Sequence, residues 1–289
     1  MNQLPPLRDT QTMNRLREFA FGDEDFAALR ILVKRITGIN LSDQKRELVY
    51  GRLARRLRAL GLRTFAEYRE LLAQDGGQET VQLCNAITTN LTAFFREPHH
   101  FEYLRTRLLE PLRAERARRR LRIWSGGCST GEEAYSLAMT VLEAWPDARQ
   151  WDVRILATDL DSDVLERART GLYAADRLQN VGPRRLERFF SPVAVRNETH
   201  YEVVPELKAL ITFKQLNLMH TLPMRGPLQA IFCRNVVIYF DKDTQRELFA
   251  RIERLQRPGD LLFLGHSETL FKVNDNYTLM GKTVYRRNG

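Results

Sequence analysis

The chain has 289 residues, enough for about two domains of ordinary size, and its 43 % hydrophobic and 28 % charged residues exclude the disordered and collagenous classes. No apolar run approaches the ~18 residues of a spanning helix, the N-terminal stretch lacks the apolar core of a signal peptide, and three widely spaced cysteines (Cys84, Cys128, Cys233) argue for a cytoplasmic, reduced chain without disulfides. The net charge of +9 is uneven: residues 1–120 hold 22 Lys and Arg against 15 Asp and Glu, whereas 121–289 hold 23 against 21, so the front portion is expected to meet an acidic partner, whether nucleic acid, anionic membrane or acidic protein.

Residues 23–114 space their apolar side chains three and four apart with no sustained alternation, which predicts an all-helical N-terminal domain. Within it Val49, Leu53, Leu57 and Leu60 form one stripe, Gly61 supplies a stop, and Arg52, Arg55, Arg56 and Arg58 cover the other side. Gly76-Gly77 breaks the region into two parts. The run 113–122 is read as a solvated helix end leading into a second domain.

From residue 121 short apolar strands alternate with amphipathic helices, the pattern of a parallel sheet covered on both faces. Strands are predicted at 121–125, 153–158, 211–215, 230–233 and 261–265, helices near 132–145, 162–170 and 244–256, and a hairpin over 277–285. Residues 171–210 contain Pro183, Pro192 and the strand-like run HYEVV at 200–204, and fit an inserted small β subdomain better than a crossover. The boundaries expected are therefore a helical domain with its linker over 20–112, a sheet domain over 113–289, and the insertion over 171–210.

The first strand runs into SGGCSTGEE (125–133), a glycine-rich turn opening a helix where open α/β sheets bind ligands. The spacing is not G-x-G-x-x-G and lacks the P-loop Lys, which disfavours nicotinamide dinucleotides and nucleoside triphosphates. The second strand ends in ATDLD (157–161), placing Asp159 at the same sheet edge, where it can accept the two hydroxyls of a ribose or serve the following helix as a cap. Loop and acid together point to a nucleoside-containing ligand without pyrophosphate, a description that S-adenosylmethionine meets.

Five ordered blocks carry a family resemblance: TTNLTAFFRE (88–97), STGEE (129–133), ATDLD (157–161), IFCRNVVIYFD (231–241) and GHSE (265–268). In these the chain resembles the CheR-type chemotaxis protein methyltransferases, which methylate receptor glutamates with S-adenosylmethionine. The resemblance implies a doubly wound, Rossmann-like methyltransferase sheet behind a helical receptor-docking domain, and a likeness over about residues 23–285. It implies cofactor contacts from Asn90, Thr92 and Arg96 in the link between the domains, with Arg96 on the cofactor carboxylate. Glu133 is expected on its ammonium, Asp159 on the ribose, and Asn217, Leu218, Cys233 and Arg234 along the adenine and its other edge. Tyr239 is expected beside the transferring methyl, so that Arg96 and Tyr239 are the catalytic candidates. No metal is implied.

A glutamate substrate is already ionised, with an ordinary pKa of about 4.3, so methyl transfer needs approach and alignment rather than a base. Local motifs of nucleic-acid methyltransferases are missing: no Asn/Asp-Pro-Pro-aromatic element follows the fourth strand, and Cys128 lacks a preceding proline. The expected partner is then the cytoplasmic signalling domain of a chemoreceptor, with its acidic methylation helices docking on Arg52, Arg55, Arg56 and Arg58, and neither nucleic acid nor membrane insertion is implied. The protein is expected to act as a monomer. In some family members the inserted β subdomain grips a receptor C-terminal peptide through a glycine-rich loop. The run FSPVAVRNETHY (190–201) lacks such a loop, so that grip is expected to be weak or absent.

Overall fold

The computed structural model describes residues 17–115 and 119–289. It divides into two compact units, residues 1–88 and 89–289. In the described part of the first, helices span Asp23–Thr37, Arg46–Leu60, Phe65–Gln74 and Gln78–Ile87. Gly38 and Gly61 stop the first two in left-handed conformation, at φ 76° and 68°. Thr64 caps the third by accepting from the Glu67 amide at 3.1 Å. The expected stripe is buried at Val49, Leu53 and Leu57, joined by Ala54, while Leu60 is only half-buried. Phe21, Phe26 and Phe65 complete this core, with the rings of Phe21 and Phe65 4.4 Å apart.

The second unit is built on a seven-stranded sheet of order β6-β2-β1-β7-β8-β10-β9. Strands β1 (Arg120–Gly126), β2 (Asp152–Asp159), β6 (Ile211–Gln215), β7 (Ala230–Cys233) and β8 (Leu261–Leu264) run parallel, and each of their positions was legible as a short apolar run. The C-terminal hairpin, β9 (Tyr277–Gly281) and β10 (Val284–Arg287), adds two antiparallel strands and turns on Lys282 and Thr283 at φ 46° and 59°. Helices Glu132–Ala144, Ser162–Thr170 and Lys242–Glu253 follow β1, β2 and β7 as expected. The chain fills one side of β1 with β2 and β6, then crosses to β7 and β8 on the other. That reversal makes the carboxyl ends of β1 and β7 the switch point where such sheets bind ligands.

The insertion forms its own sheet of order β3-β5-β4, from β3 (Leu172–Ala174), β4 (Phe190–Val195) and β5 (Glu198–Val203), with short helices at Pro183–Phe189 and Pro205–Lys208. Its β4–β5 turn places Arg196 and Asn197 at φ 49° and 67°, a tight two-residue turn in place of a glycine-rich loop.

Two expectations shift. The units part after Thr88, not near residue 112, because Phe101, Leu104 and Leu109 enter the core that also holds Leu121 and Ile123. The run 113–122 is no continuous solvated helix end: the helix stops at Ala114, residues 116–118 lie outside the described ones, and Arg120–Arg122 already belong to β1, where Arg122 pairs with Asp152.

Candidate active site

The loop after β1 is shaped by close approaches that only particular residues permit. Gly127 sits at φ 131°, and a Cβ there would meet Val236 Cγ2 at 2.3 Å, so the loop lies directly against the segment leaving β7. The amides of Gly127 and Cys128 both donate to the Thr158 carbonyl, at 2.8 and 2.9 Å, fastening the loop to the end of β2. Ser129 adopts φ 49° despite its side chain; its amide donates to Asp159 Oδ2 at 2.8 Å and its hydroxyl to the Asn90 carbonyl at 3.0 Å. Left-handed non-glycine backbone of this kind collects at ligand sites.

Asp159 accepts the Ser129 amide on Oδ2 at 2.8 Å and the Asp161 amide on Oδ1 at 3.0 Å. Burial pushes its carboxyl above the usual range, and those amides hold it back. The capping alternative falls to Asp161, whose Oδ1 accepts from the amides of Asp163 and Val164, while its Oδ2 accepts from Asn90 Nδ2 at 2.6 Å. Asn90, Ser129 and Asp159 are thus brought together at one edge.

Glu133 lies at the switch point, with Oε1 accepting from Ser125 at 2.7 Å and Oε2 from Arg234 Nη1 at 2.8 Å. Burial raises its pKa, opposed by Arg234 and Ser125. Arg234 is itself buried and reaches two further groups from Nη2, the Arg96 carbonyl at 2.6 Å and Glu97 Oε2 at 3.3 Å. Its side chain therefore cross-links Glu133, Glu97 and the Arg96 carbonyl, where contacts along the cofactor's edge were expected. Cys233 beside it is fully buried and free, and burial drives its thiol well above the ordinary value, so it offers no nucleophile.

Arg96 is half-buried and donates to the Leu91 carbonyl, at 3.0 Å. The neighbouring carboxylates are committed elsewhere: Glu102 to Arg105, and Glu97 to Arg234 and His266. Among the described residues its guanidinium has no acidic partner, which suits a cation held for a ligand carboxylate. Thr92 receives Arg177 on its carbonyl at 3.1 Å. Asn217 folds back on the Met219 amide at 2.9 Å, and Leu218 is buried beyond the end of β6. Tyr239 closes the turn Val237–Tyr239 after β7 and is half-buried, not sunk in the core.

Four contributors escaped sequence reasoning. Glu97, at φ 57°, gathers Arg234 and His266; Arg177 reaches Glu132; Ser129 holds Asp159; and Glu268 accepts from the amides of Gly265, Asn235 and Ile238, fixing the turn that precedes Tyr239. Glu97 and Glu268 lie in the blocks of the resemblance, the one signal that marked them. Ligand atoms of Glu97, His99 and His100 lie within 4.8 Å of one another, yet the Arg234 guanidinium 3.3 Å from Glu97 Oε2 opposes a cation there.

In the first unit the four arginines divide. Arg52 caps a helix end, donating to the carbonyls of Ala86, Ile87 and Thr88, and Arg56 pairs with buried Glu79, which also accepts from Tyr68. Arg58 is exposed and pairs with Glu18, and Arg55 is exposed and makes a local bond to the Gly51 carbonyl at 3.3 Å. The face is thus no uniform basic patch.

Comparison with known proteins agrees with this construction. Residues 90–286 match the family description "CheR methyltransferase, SAM binding domain", and residues 24–88 match "CheR methyltransferase, all-alpha domain". The chain is 42 % identical over 292 residues to the chemotaxis protein methyltransferase of Escherichia coli, covering 98 % of each. It is 45 % identical over 276 residues to chemotaxis protein methyltransferase 2 of Pseudomonas aeruginosa, covering 93 % of this chain and 95 % of that one.

Proposed function

The chain belongs to the CheR methyltransferase family and is an S-adenosylmethionine-dependent methyltransferase, and on that footing we propose that it methylates glutamate side chains on the cytoplasmic signalling helices of a chemoreceptor. S-adenosylmethionine supplies an electrophilic sulfonium methyl, which the glutamate oxygen takes as the S–C bond breaks, leaving a methyl ester and S-adenosylhomocysteine. The residues for this exchange divide by charge. Arg96 holds the carboxylate, Glu133 the ammonium, and Asp159 the ribose diol. Asn90 and Thr92 cover them, Asn217, Leu218 and the backbone at Cys233 line the nucleobase side, and Tyr239 stands beside the methyl.

None of these groups has to move a proton, because the substrate carboxylate is ionised at neutral pH. The chain's work is alignment and exclusion of water, which can supply roughly 7–11 kcal/mol of such a barrier. The observation that carries the reading is the charge pattern of the site: the Arg96 guanidinium has no acidic partner among the described residues, and the buried Glu133 carboxylate is paired with the Arg234 guanidinium, which also donates to the Arg96 carbonyl.

For the acceptor, the support is the relatives' naming as chemotaxis protein methyltransferases and the exposed cations Arg55 and Arg58 of the basic front unit, which suit acidic helices. No described helix is long and apolar enough to cross a membrane. We take the enzyme to act as a cytoplasmic monomer, without metal. The test is calorimetric titration with S-adenosylhomocysteine, alongside Asp159→Ala, followed by transfer of labelled methyl to an isolated receptor signalling domain. Saturable binding lost in the variant, and base-labile label on the receptor, are expected. Binding without base-labile label would remove the glutamate acceptor, and no binding would remove the cofactor site.

A further inference from the structure

The insertion is more than an appendage to the sheet, because it grips both segments that form the cofactor site. Tyr173 of β3 donates to the Thr130 carbonyl at 2.6 Å and packs edge-on against Phe94, with centroids 4.9 Å apart. Arg185 lies over the Phe95 ring at 3.9 Å while bonded twice to Glu143. Between them, Arg177 sends one guanidinium nitrogen, Nη2, to two places: the Thr92 carbonyl at 3.1 Å and the Glu132 carboxylate.

Glu132 is the unusual member. Its side chain is 0 % exposed, its Oε2 accepts from Thr130 Oγ1 at 2.6 Å, and Arg177 is the one cation paired with it among the described residues. Arg177 stands on the exposed turn Ala175–Leu178 and is itself 39 % exposed, so it adds little apolar burial. Its bonds reach the end of the loop in which the Ser129 amide donates to Asp159 Oδ2.

We propose that Arg177 is a positioning residue of the methyltransferase: it pins the covering segment 90–96 to the loop 129–132, so that the insertion sets the alignment of the cofactor contacts. The inference rests on the cofactor reading given above. Loss of the guanidinium strands a buried carboxylate, and movement of the loop or entry of water to relieve it displaces Ser129 from Asp159 and Thr92 from its place. Pinning of this kind acts on binding of the cofactor and not on the transfer step itself.

Arg177→Gln is expected to weaken S-adenosylhomocysteine binding about tenfold, or 1.4 kcal/mol. The KM for S-adenosylmethionine should rise correspondingly, with kcat at saturating cofactor within about twofold of the parent. Arg177→Lys should recover most of the affinity. The double variant Glu132→Gln, Arg177→Gln should recover part of it, since no stranded charge remains. In protein without cofactor, hydrogen exchange at the Phe95 amide, bonded to Ser136 Oγ at 3.0 Å, should quicken in Arg177→Gln. Unchanged affinity and unchanged exchange would overturn the proposal, as would a lowered melting temperature with neither affinity nor exchange altered, the mark of a merely structural role. Should the parent chain fail to bind S-adenosylhomocysteine, the cofactor reading falls, and the exchange measurement still decides whether Arg177 pins the segment.

Discussion

Arg234→Met is the substitution that most directly tests how the site is held together. The Arg234 side chain is 2 % exposed and pairs with Glu133 and Glu97, each 11 % exposed, while also donating to the Arg96 carbonyl. Methionine fills much of the volume but leaves two carboxylates facing each other without a cation. Breaking a buried pair in this way costs about 3–5 kcal/mol; taking the lower figure, a domain of about 200 residues loses roughly 6–12 °C in melting temperature. All three tryptophans, Trp124, Trp145 and Trp151, lie in the second unit, so tryptophan fluorescence follows that unit alone.

The pH dependence sharpens the test. Burial pushes Glu97 up, but Arg234 and His266 hold its carboxyl below the usual range, whereas Glu133 is already raised by burial against the pull of Arg234. Without Arg234 both folded-state pKa values rise, so both acids take up protons more readily in the folded variant than in the folded parent. The penalty is then fully present at pH 7.5 and shrinks toward pH 5. A variant as stable as the parent at pH 7.5, or a deficit that grows on acidification, would refute the reasoning.

Other perturbations separate binding from folding. Arg96→Ala should cost at least tenfold in S-adenosylhomocysteine affinity by calorimetry while leaving the tryptophan-detected melting temperature within about 2 °C, because among the described residues its side chain bonds to the Leu91 carbonyl and to no acid; a large fall in stability with affinity intact would reverse that assignment. His100 is pushed down to about 4, first by burial and then by Arg234. The unfolded imidazole protonates near 6.5, so the unfolded chain binds more protons between those values and stability falls as pH drops through that window. His100→Gln should flatten this acid slope in urea titrations at pH 7.5 and 5, and equal slopes would remove His100 as its source. In the first unit, Arg56→Ala should lower helix stability by about 2–3 kcal/mol, seen by circular dichroism, because it strands buried Glu79. Arg55→Glu should leave that stability nearly unchanged and slow methylation of the receptor domain, and an undiminished rate would take Arg55 out of the docking face.

The scaffold of the second unit was legible because a strand buried on both faces must be a short, nearly continuous apolar run, and such runs stand out at β1, β2, β7 and β8. The glycine turn was legible for a related reason, since the close approach of Gly127 to Val236 tolerates no side chain. The helices over 98–114 show the limit. Their periodicity continues that of the first unit without a break, and only the choice of core, Phe101 and Leu104 packing with Leu121 and Ile123, assigns them to the second.

Ion pairing lies further still from what residue order can tell. Arg52, Arg55, Arg56 and Arg58 share one helix and one charge, yet Glu79 claims one, a helix end claims another, and two remain exposed. The same holds at the switch point, where Arg96 and Arg234 were both expected to touch the cofactor. Arg234 meets Glu133 across 101 positions of sequence and the Arg96 carbonyl across 138, while Arg96 is left to a backbone carbonyl. A guanidinium neutralises whichever carboxylate the fold brings near, and the energy of that choice depends on burial, which a charge count does not contain. One buried arginine therefore cross-links two carboxylates and a backbone carbonyl while the other is left to a carbonyl of its own segment, and the distinction follows from the strand order that sets β7 beside β1.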